Sequence, residues 1–311
     1  MQRNLRVCVF ATVVGVLLTA SHAAAEVRVV ATTTVVADLV RQVGGERVAV
    51  ESLMGDGVDP HSYRATPRDA DRLLRADLIV ANGLHLEGKL AQLLERLGRR
   101  RPVVAVAEAV PEAKLLPIGN GLFDPHVWFD AALWSYCPAA VAEALVKLDA
   151  AGAAGYRQRA EDYAKRLQQL DAQARTQLAG IPPARRVLIT AHDAFRYFGR
   201  AYGLEVVGVQ GTSTESEAGL ADMNRLVELV VSRRIPAVFV ETSVADRNVT
   251  ALREGAAARG QRLMLGGRLY SDALGPEGSD GDTLEGALLA NVETIVAALA
   301  GESAVVTVVD E

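Results

Sequence analysis

A single helical stripe in the middle of the chain constrains the fold more than any other feature of the sequence. Between residues 156 and 178 apolar side chains recur at intervals of three or four, and charged or amide side chains occupy most other positions. The apolar positions are Tyr156, Ala160, Tyr163, Leu167, Leu170, Ala174 and Leu178. At ~1.5 Å per residue this pattern predicts a helix of about 35 Å. Pro182-Pro183 then prevents the helix from continuing.

The segments on either side of this stripe alternate short β-rich runs with helical stretches, which is typical of βα units on a parallel sheet. The predicted strands are 27–32, 47–53, 78–81, 103–106, 187–190, 205–209, 237–241 and 262–265, and the predicted helices include 71–75, 86–97, 217–232 and 281–300. Thr214 and Glu217 have the spacing of a capping box at the start of helix 217–232. We therefore predict a two-lobed α/β protein in which the long helix is a rigid connector. The alternative is a crossover helix within one large sheet.

Residues 1–25 have the pattern of a cleavable signal peptide. Two arginines precede an apolar run over residues 7–20, and three alanines end the segment. The run is shorter than the roughly 20 residues that a transmembrane helix needs. Cys8 stands at the beginning of this run, where it is poorly placed for lipid attachment. We expect export to the periplasm, cleavage after residue 25 and no membrane anchor.

The charge and the cysteine content exclude several classes of protein. The formal net charge is −5, and a general nucleic-acid binder needs a basic face instead. Beyond residue 25 a single cysteine, Cys137, remains, so we expect no internal disulfide. The sequence contains no HExxH zinc motif, no Gly-x-Ser-x-Gly nucleophile motif and no phosphate-binding P-loop. Only four histidines remain beyond residue 25, which makes each of them informative.

Two of these histidines occur in the same tripeptide. Asp59-Pro60-His61 and Asp124-Pro125-His126 each follow a stretch rich in glycine and turn-forming residues. Proline fixes its own φ and restricts the residue before it, so each histidine is expected on a stiff loop. The aspartate can bond the local backbone or the second imidazole nitrogen, as is usual for a metal-bound histidine. We predict that His61 and His126 are metal ligands, and purely structural turns are the alternative.

Two further candidates follow predicted strands of the second half. His192 comes after strand 187–190 and Asp272 after strand 262–265, at the strand ends where open α/β sheets bind ligands. Alone, His192 also fits a satisfied structural histidine, and Asp272 fits an ordinary turn or helix cap. Together with the two tripeptides they supply three imidazoles and one carboxylate, a full set for a four-coordinate transition metal. His85, flanked by leucines, is interpreted as a structural or surface residue.

These motifs closely resemble those of the zinc/manganese-binding receptors of bacterial ABC metal importers. The resemblance covers residues 27–300 and rests on GVDPHSY (57–63), TPRD (66–69), ANGLHLE (81–87), DPHVW (124–128), TAHDAF (190–195), GVQG (208–211) and SDALG (271–275). It implies two (β/α)4-type lobes with parallel sheets, joined by one long helix, and a metal ion between the lobes. The positions of the four family ligands are occupied here by His61, His126, His192 and Asp272. The implied organisation is a lobe at 26–150, a connecting helix within 151–180 and a lobe at 181–311.

The resemblance also implies a function and narrows the metal. It implies a periplasmic solute-binding protein, not an enzyme, that delivers a divalent metal to the membrane permease of an ABC importer, and we expect it to be a monomer. The segment 111–123 is short and lacks histidine. Many manganese-dedicated members have Glu at the third ligand position, whereas this chain has His192. Both features match the short-loop branch, whose ligands are three His and one Asp. Three imidazoles favour Zn²⁺, with Mn²⁺ as a close second.

Two other functions remain open at the level of sequence. A zinc-dependent hydrolase would keep one coordination position free for water and would use Glu217, Glu241 or Asp193 as a general base. An adhesive or structural surface protein would use the metal only to staple its lobes together. The sequence contains no surface anchor or repeat module that favours this last role.

Overall fold

The first half of the chain forms a four-stranded parallel sheet. The structure, a computed structural model, describes residues 26–216 and 218–301, so the predicted signal peptide and Glu217 lie outside the described residues. The strands follow the order β2-β1-β3-β4 across the sheet. Their bounds are β1 Val27–Ala31, β2 Val48–Ser52, β3 Leu78–Ala81 and β4 Val103–Ala105. All three pairings in this sheet are parallel, as the βα pattern predicts.

Helices and one short hairpin complete this half. Their bounds are α1 Thr34–Gly44, α2 Pro67–Arg75, α3 Ala91–Gly98, β5 Pro117–Gly119, β6 Leu122–Phe123, α4 Ala131–Trp134 and α5 Cys137–Leu148. The predicted helix 86–97 begins late, at Ala91. Residues 84–90 form turns instead, and Leu84 and His85 within them have left-handed φ values of 52° and 63°.

The second half contains four more parallel strands, in two hydrogen-bonded pairs. β7 Val187–His192 pairs with β8 Glu205–Gln210, and β9 Ala237–Glu241 pairs with β10 Met264–Leu269. The two pairs meet because β7 lies against β9. The helices are α7 Arg196–Tyr202, α8 Leu220–Arg233, α9 Arg247–Ala258 and α10 Leu284–Leu299.

Strand β10 departs from the predicted strand 262–265. It continues to Leu269 and passes through Gly266 and Gly267, with a register shift between Leu265 and Gly267. A Cβ atom on Gly266 would lie 2.6 Å from the Phe239 ring, and Gly267 has a φ of 141°. The two glycines therefore mark close packing and a bulge within the strand.

The long helix α6 spans Ala153–Leu178 and joins the two halves. Its buried side chains are the seven predicted from the stripe: Tyr156, Ala160, Tyr163, Leu167, Leu170, Ala174 and Leu178. They pack against α1, α4 and α5 of the first half and against α7 and α10 of the second. One continuous apolar core therefore contains residues of both halves. The prediction of a connecting helix is confirmed.

The predicted capping box before α8 is wrong. The helix begins at Leu220, after Gly219, so Thr214 lies too far upstream to cap it. The Thr214 hydroxyl instead donates a hydrogen bond of 2.6 Å to Asp59 Oδ2 in the first half. Within 26–216 and 218–301, no helix combines the length and the apolar character that crossing a membrane requires.

The shared core predicts a large effect of truncating α6. Leu167 is fully buried in this core, so Leu167→Ala should lower the free energy of unfolding by about 2–5 kcal/mol because it leaves a cavity. Gln169→Ala, at an exposed position of the same helix, is the matched control and should change it by less than about 0.5 kcal/mol. Urea unfolding followed by circular dichroism measures both. Equal stability of the two variants would contradict this role of the stripe.

Candidate metal centre

The two repeated tripeptides place their histidines by the same local bond. Asp59 Oδ1 accepts the backbone N–H of His61 at 2.9 Å, and Asp124 Oδ1 accepts that of His126 at 3.0 Å. Each aspartate thus closes a turn onto the residue two positions later. Of the two roles considered for these aspartates, bonding to the local backbone is found in both.

The other two candidates lie at the carboxyl ends of strands, as expected. His192 is the last residue of β7, and its backbone N–H donates to Glu241 Oε1 at 2.8 Å. Asp272 lies in the loop that follows β10. The indole N–H of Trp128 donates to the Ser271 carbonyl at 3.3 Å, so a residue of the first half supports the loop that carries Asp272.

The four predicted side chains converge on one point between the two halves. Each offers a ligand atom, and these atoms all lie within 4.8 Å of one another. The Nε2 atoms of His61 and His126 are 3.2 Å apart. Asp272 Oδ2 lies 3.3 Å from His192 Nε2 and 3.6 Å from His61 Nε2, and Asp272 Oδ1 lies 3.5 Å from His126 Nε2. All four residues are buried, whereas His85 is exposed and lies outside this cluster.

Carboxylates contact two of the imidazoles at Nδ1, the ring nitrogen that faces away from the centre. Asp124 Oδ1 lies 2.7 Å from Nδ1 of His126, and Glu241 Oε2 lies 2.6 Å from Nδ1 of His192. The contact at His126 is a hydrogen bond and the one at His192 is an ion-pair contact, and both leave Nε2 directed to the centre. Sequence reasoning assigned Glu241 only as a possible general base and missed this contact. The signal was its position, since Glu241 ends β9 at the same sheet edge as His192.

Burial and the neighbouring charges act in opposite directions on the pKa values of the cluster. Burial would raise the pKa of Asp272, but the surrounding imidazoles, His192 first, hold it below its usual value. Burial lowers the pKa of His61 to about 4, although Asp272 acts in the opposite direction. Burial also opposes the charged form of His192, yet Glu241 and Asp272 raise its pKa well above the usual value.

The donor set fits a divalent transition metal. Within the described ranges, both carboxylate oxygens of Asp272 and Nε2 of His192 are buried and make no hydrogen bond. Buried polar atoms without a partner are costly, and a cation at the centre would satisfy them together. Three imidazole nitrogens and one carboxylate oxygen match the ligands and the coordination number of Zn²⁺, and imidazole and carboxylate also suit other divalent metals.

Comparison with known proteins shows that the chain is similar to zinc- and manganese-binding proteins. The family model described as zinc-uptake complex component A, periplasmic, matches residues 29–298. The chain is 46% identical over 275 residues to the manganese-binding lipoprotein MntA of Bacillus subtilis, covering 88% of this chain and 90% of that protein. It is 45% identical over 303 residues to the zinc-binding protein TroA of Treponema pallidum, covering 95% and 98%. The solved structure of the periplasmic zinc-binding protein TroA matches with a TM-score of 0.86 and 46% identity, over 88% of this chain and 99% of that one.

The carboxylate behind His126 should be needed for tight metal binding. Asp124→Asn weakens the hold on Nδ1, and we expect metal affinity to fall by about 10- to 100-fold. Asp171→Asn is the matched control, because Asp171 pairs with Arg175 along α6 at 2.9 Å and is not one of the four converging residues. Competition with a chromophoric chelator at pH 7 measures both affinities. Equal affinities of the Asp124→Asn protein and the wild type would contradict the orienting role.

Proposed function

This chain belongs to the family of zinc-uptake complex component A periplasmic proteins, and we propose that it captures a divalent transition metal for delivery to the membrane permease of an ABC importer. The observation that carries the proposal is the convergence of His61, His126, His192 and Asp272 between the two halves. The proposed lobes are residues 26–150 and 181–311, connected within 151–180.

The geometry suggests how capture and release are linked. Two proposed ligands come from each half, so a bound ion would join the halves at the seam, the surface along which they meet. The apolar core around α6 contains residues of both halves, which favours a small closing motion. Separation of the halves by the importer would divide the ligand set and release the ion. Because one chain supplies all four ligands, we propose that the protein works as a monomer.

Zinc is our first choice for the cargo, with manganese second. Three imidazoles and one carboxylate suit Zn²⁺, whose affinity for such sites exceeds that of Mn²⁺. Similar proteins are named for both metals, TroA for zinc and MntA for manganese. Imidazole ligands must be deprotonated to bind, so protons compete with the metal and we expect affinity to fall as the pH drops, beginning with His192, whose pKa is raised well above the usual value.

The site favours binding over catalysis. A catalytic zinc site keeps one position open for water, whereas here four protein groups are available to the ion. Of the two possible bases within the described ranges, Glu241 holds His192 and Asp193 faces Arg196. We therefore propose a receptor that is not an enzyme, rather than a zinc-dependent hydrolase. No observation specifically favours an adhesive or structural role.

We further propose that the mature protein is released into the periplasm without a lipid. MntA of Bacillus subtilis is named a lipoprotein, and a lipid anchor requires a suitably placed cysteine. The two cysteines of this chain are Cys8, which stands at the beginning of the apolar run of the signal peptide, and Cys137, which is buried at the start of α5. Neither stands next to the proposed cleavage point after Ala25.

Metal binding should raise the thermal stability of the metal-free protein. For residues 26–311, zinc at about 1,000 times its Kd should add about 4 kcal/mol of stability, which corresponds to a rise in Tm of several degrees. His61→Ala should abolish this rise because it removes a proposed ligand. His85→Ala, which removes an exposed histidine outside the cluster, is the matched control and should retain it. Scanning calorimetry with zinc, manganese or magnesium ranks the metals, and no rise with zinc or manganese would refute the proposal.

The mass of the exported protein tests the release without a lipid. Intact mass spectrometry of the protein from a periplasmic extract should give the mass of residues 26–311 alone. A cysteine-linked diacylglyceryl group, or recovery only in the membrane fraction, would show that the protein is anchored.

A further inference from the structure

The two copies of the Asp-Pro-His tripeptide use their aspartates differently. Asp124 is fully buried and directs one oxygen to both the backbone N–H and the ring Nδ1 of His126. Asp59 gives Oδ1 to the backbone N–H of His61, and its Oδ2 accepts from the hydroxyls of Ser62 at 2.7 Å and Thr214 at 2.6 Å. Thr214 belongs to the second half of the chain, so Asp59 joins the two halves.

The contacts across the seam differ between its two sides. Deep in the seam the links are buried, as in the bond from the Trp128 indole to the Ser271 carbonyl and the bond from the backbone N–H of Leu274 to the Thr34 hydroxyl. Around Thr214 the links are polar and partly exposed. His61, which adjoins this side, is 5% exposed, compared with 0–1% for the other three proposed ligands. Of the segments that carry the four proposed ligands, the loop of His61 is therefore the one nearest to solvent.

We propose that Thr214 is a positioning residue for His61, and that its hydrogen bond to Asp59 sets how long the metal stays bound. The inference rests on the proposed function. A carboxylate is rigid, so the Thr214 hydroxyl at Oδ2 also fixes the position of Oδ1, which holds the backbone of His61. Separation of the halves breaks the bond to Thr214 and releases the loop that carries this ligand.

A neighbouring ion pair in the same loop provides a comparison. Lys89 pairs with Glu215 across the same seam, but the two side chains are 34% and 44% exposed. Exposed ion pairs contribute little and are screened by salt. A hydroxyl that donates to a partly buried carboxylate forms a charge-assisted hydrogen bond, which is stronger than a neutral one. Removal of the Thr214 hydroxyl should therefore change the rate of metal dissociation, whereas neutralising Glu215 should change it little.

The experiment measures the rate of zinc dissociation from the full exported protein, with excess chelator in a stopped-flow instrument. Thr214→Val, which removes the hydroxyl and keeps the shape, should raise the rate about tenfold. Thr214→Ser should restore the wild-type rate because it keeps the hydroxyl. Glu215→Gln, the control in the same loop, should change the rate by less than about twofold.

A double-mutant cycle separates positioning from a general structural effect. In an Asp59→Ala background, Thr214→Val should change the dissociation rate by less than about twofold, because the partner is gone. An undiminished effect there, or a wild-type rate in the single Thr214→Val variant, would overturn the positioning role while zinc binding by the wild type still stands. Absence of zinc binding by the wild type would instead overturn the proposed function, and this inference with it.

Discussion

The carboxylate of Asp272 is the group around which the rest of the site is organised. It is 1% exposed, lies within 3.6 Å of three imidazoles and has both oxygens free of hydrogen bonds among the described residues. A buried charge of this kind is costly unless opposite charge is supplied. The imidazoles supply part of it, and Glu241 and Asp124 hold two of them with Nε2 facing the centre. A divalent cation at the centre would complete the compensation.

This arrangement depends on how the two halves are joined. Asp272 and His192 come from the second half, and His61 and His126 from the first, so the cluster exists only while the halves keep their relative position. Helix α6 provides that position, because its buried face contributes to one core that includes residues of both halves. On the side of His61 the halves are joined by polar contacts that are partly exposed. A shared apolar core, together with partly exposed polar contacts near His61, suits a site that must hold an ion and later release it.

Local patterns in the sequence predicted most of the architecture, but they did not predict individual contacts between residues that are distant in the chain. The stripe of α6 was predicted to the residue, as were the bounds of β3 and β9, because periodicity and short apolar runs are local properties. The meeting of the four predicted side chains followed from strand ends and a repeated tripeptide, and their role as ligands stays a prediction. The extension of β10 through Gly266 was missed because the packing of Gly266 against Phe239 is not local. The same holds for Thr214, whose partner is distant in the chain.

The coordination of bound zinc tests the central claim most directly, and X-ray absorption spectroscopy at the zinc edge measures it on the loaded protein. The account predicts a shell of three imidazole nitrogens and one carboxylate as its protein ligands, at about 2.0–2.2 Å, with no sulfur. The carboxylate contribution should be lost in Asp272→Ala. A shell dominated by water oxygens, or one that is unchanged by Asp272→Ala, would show that zinc binds elsewhere and would contradict the account.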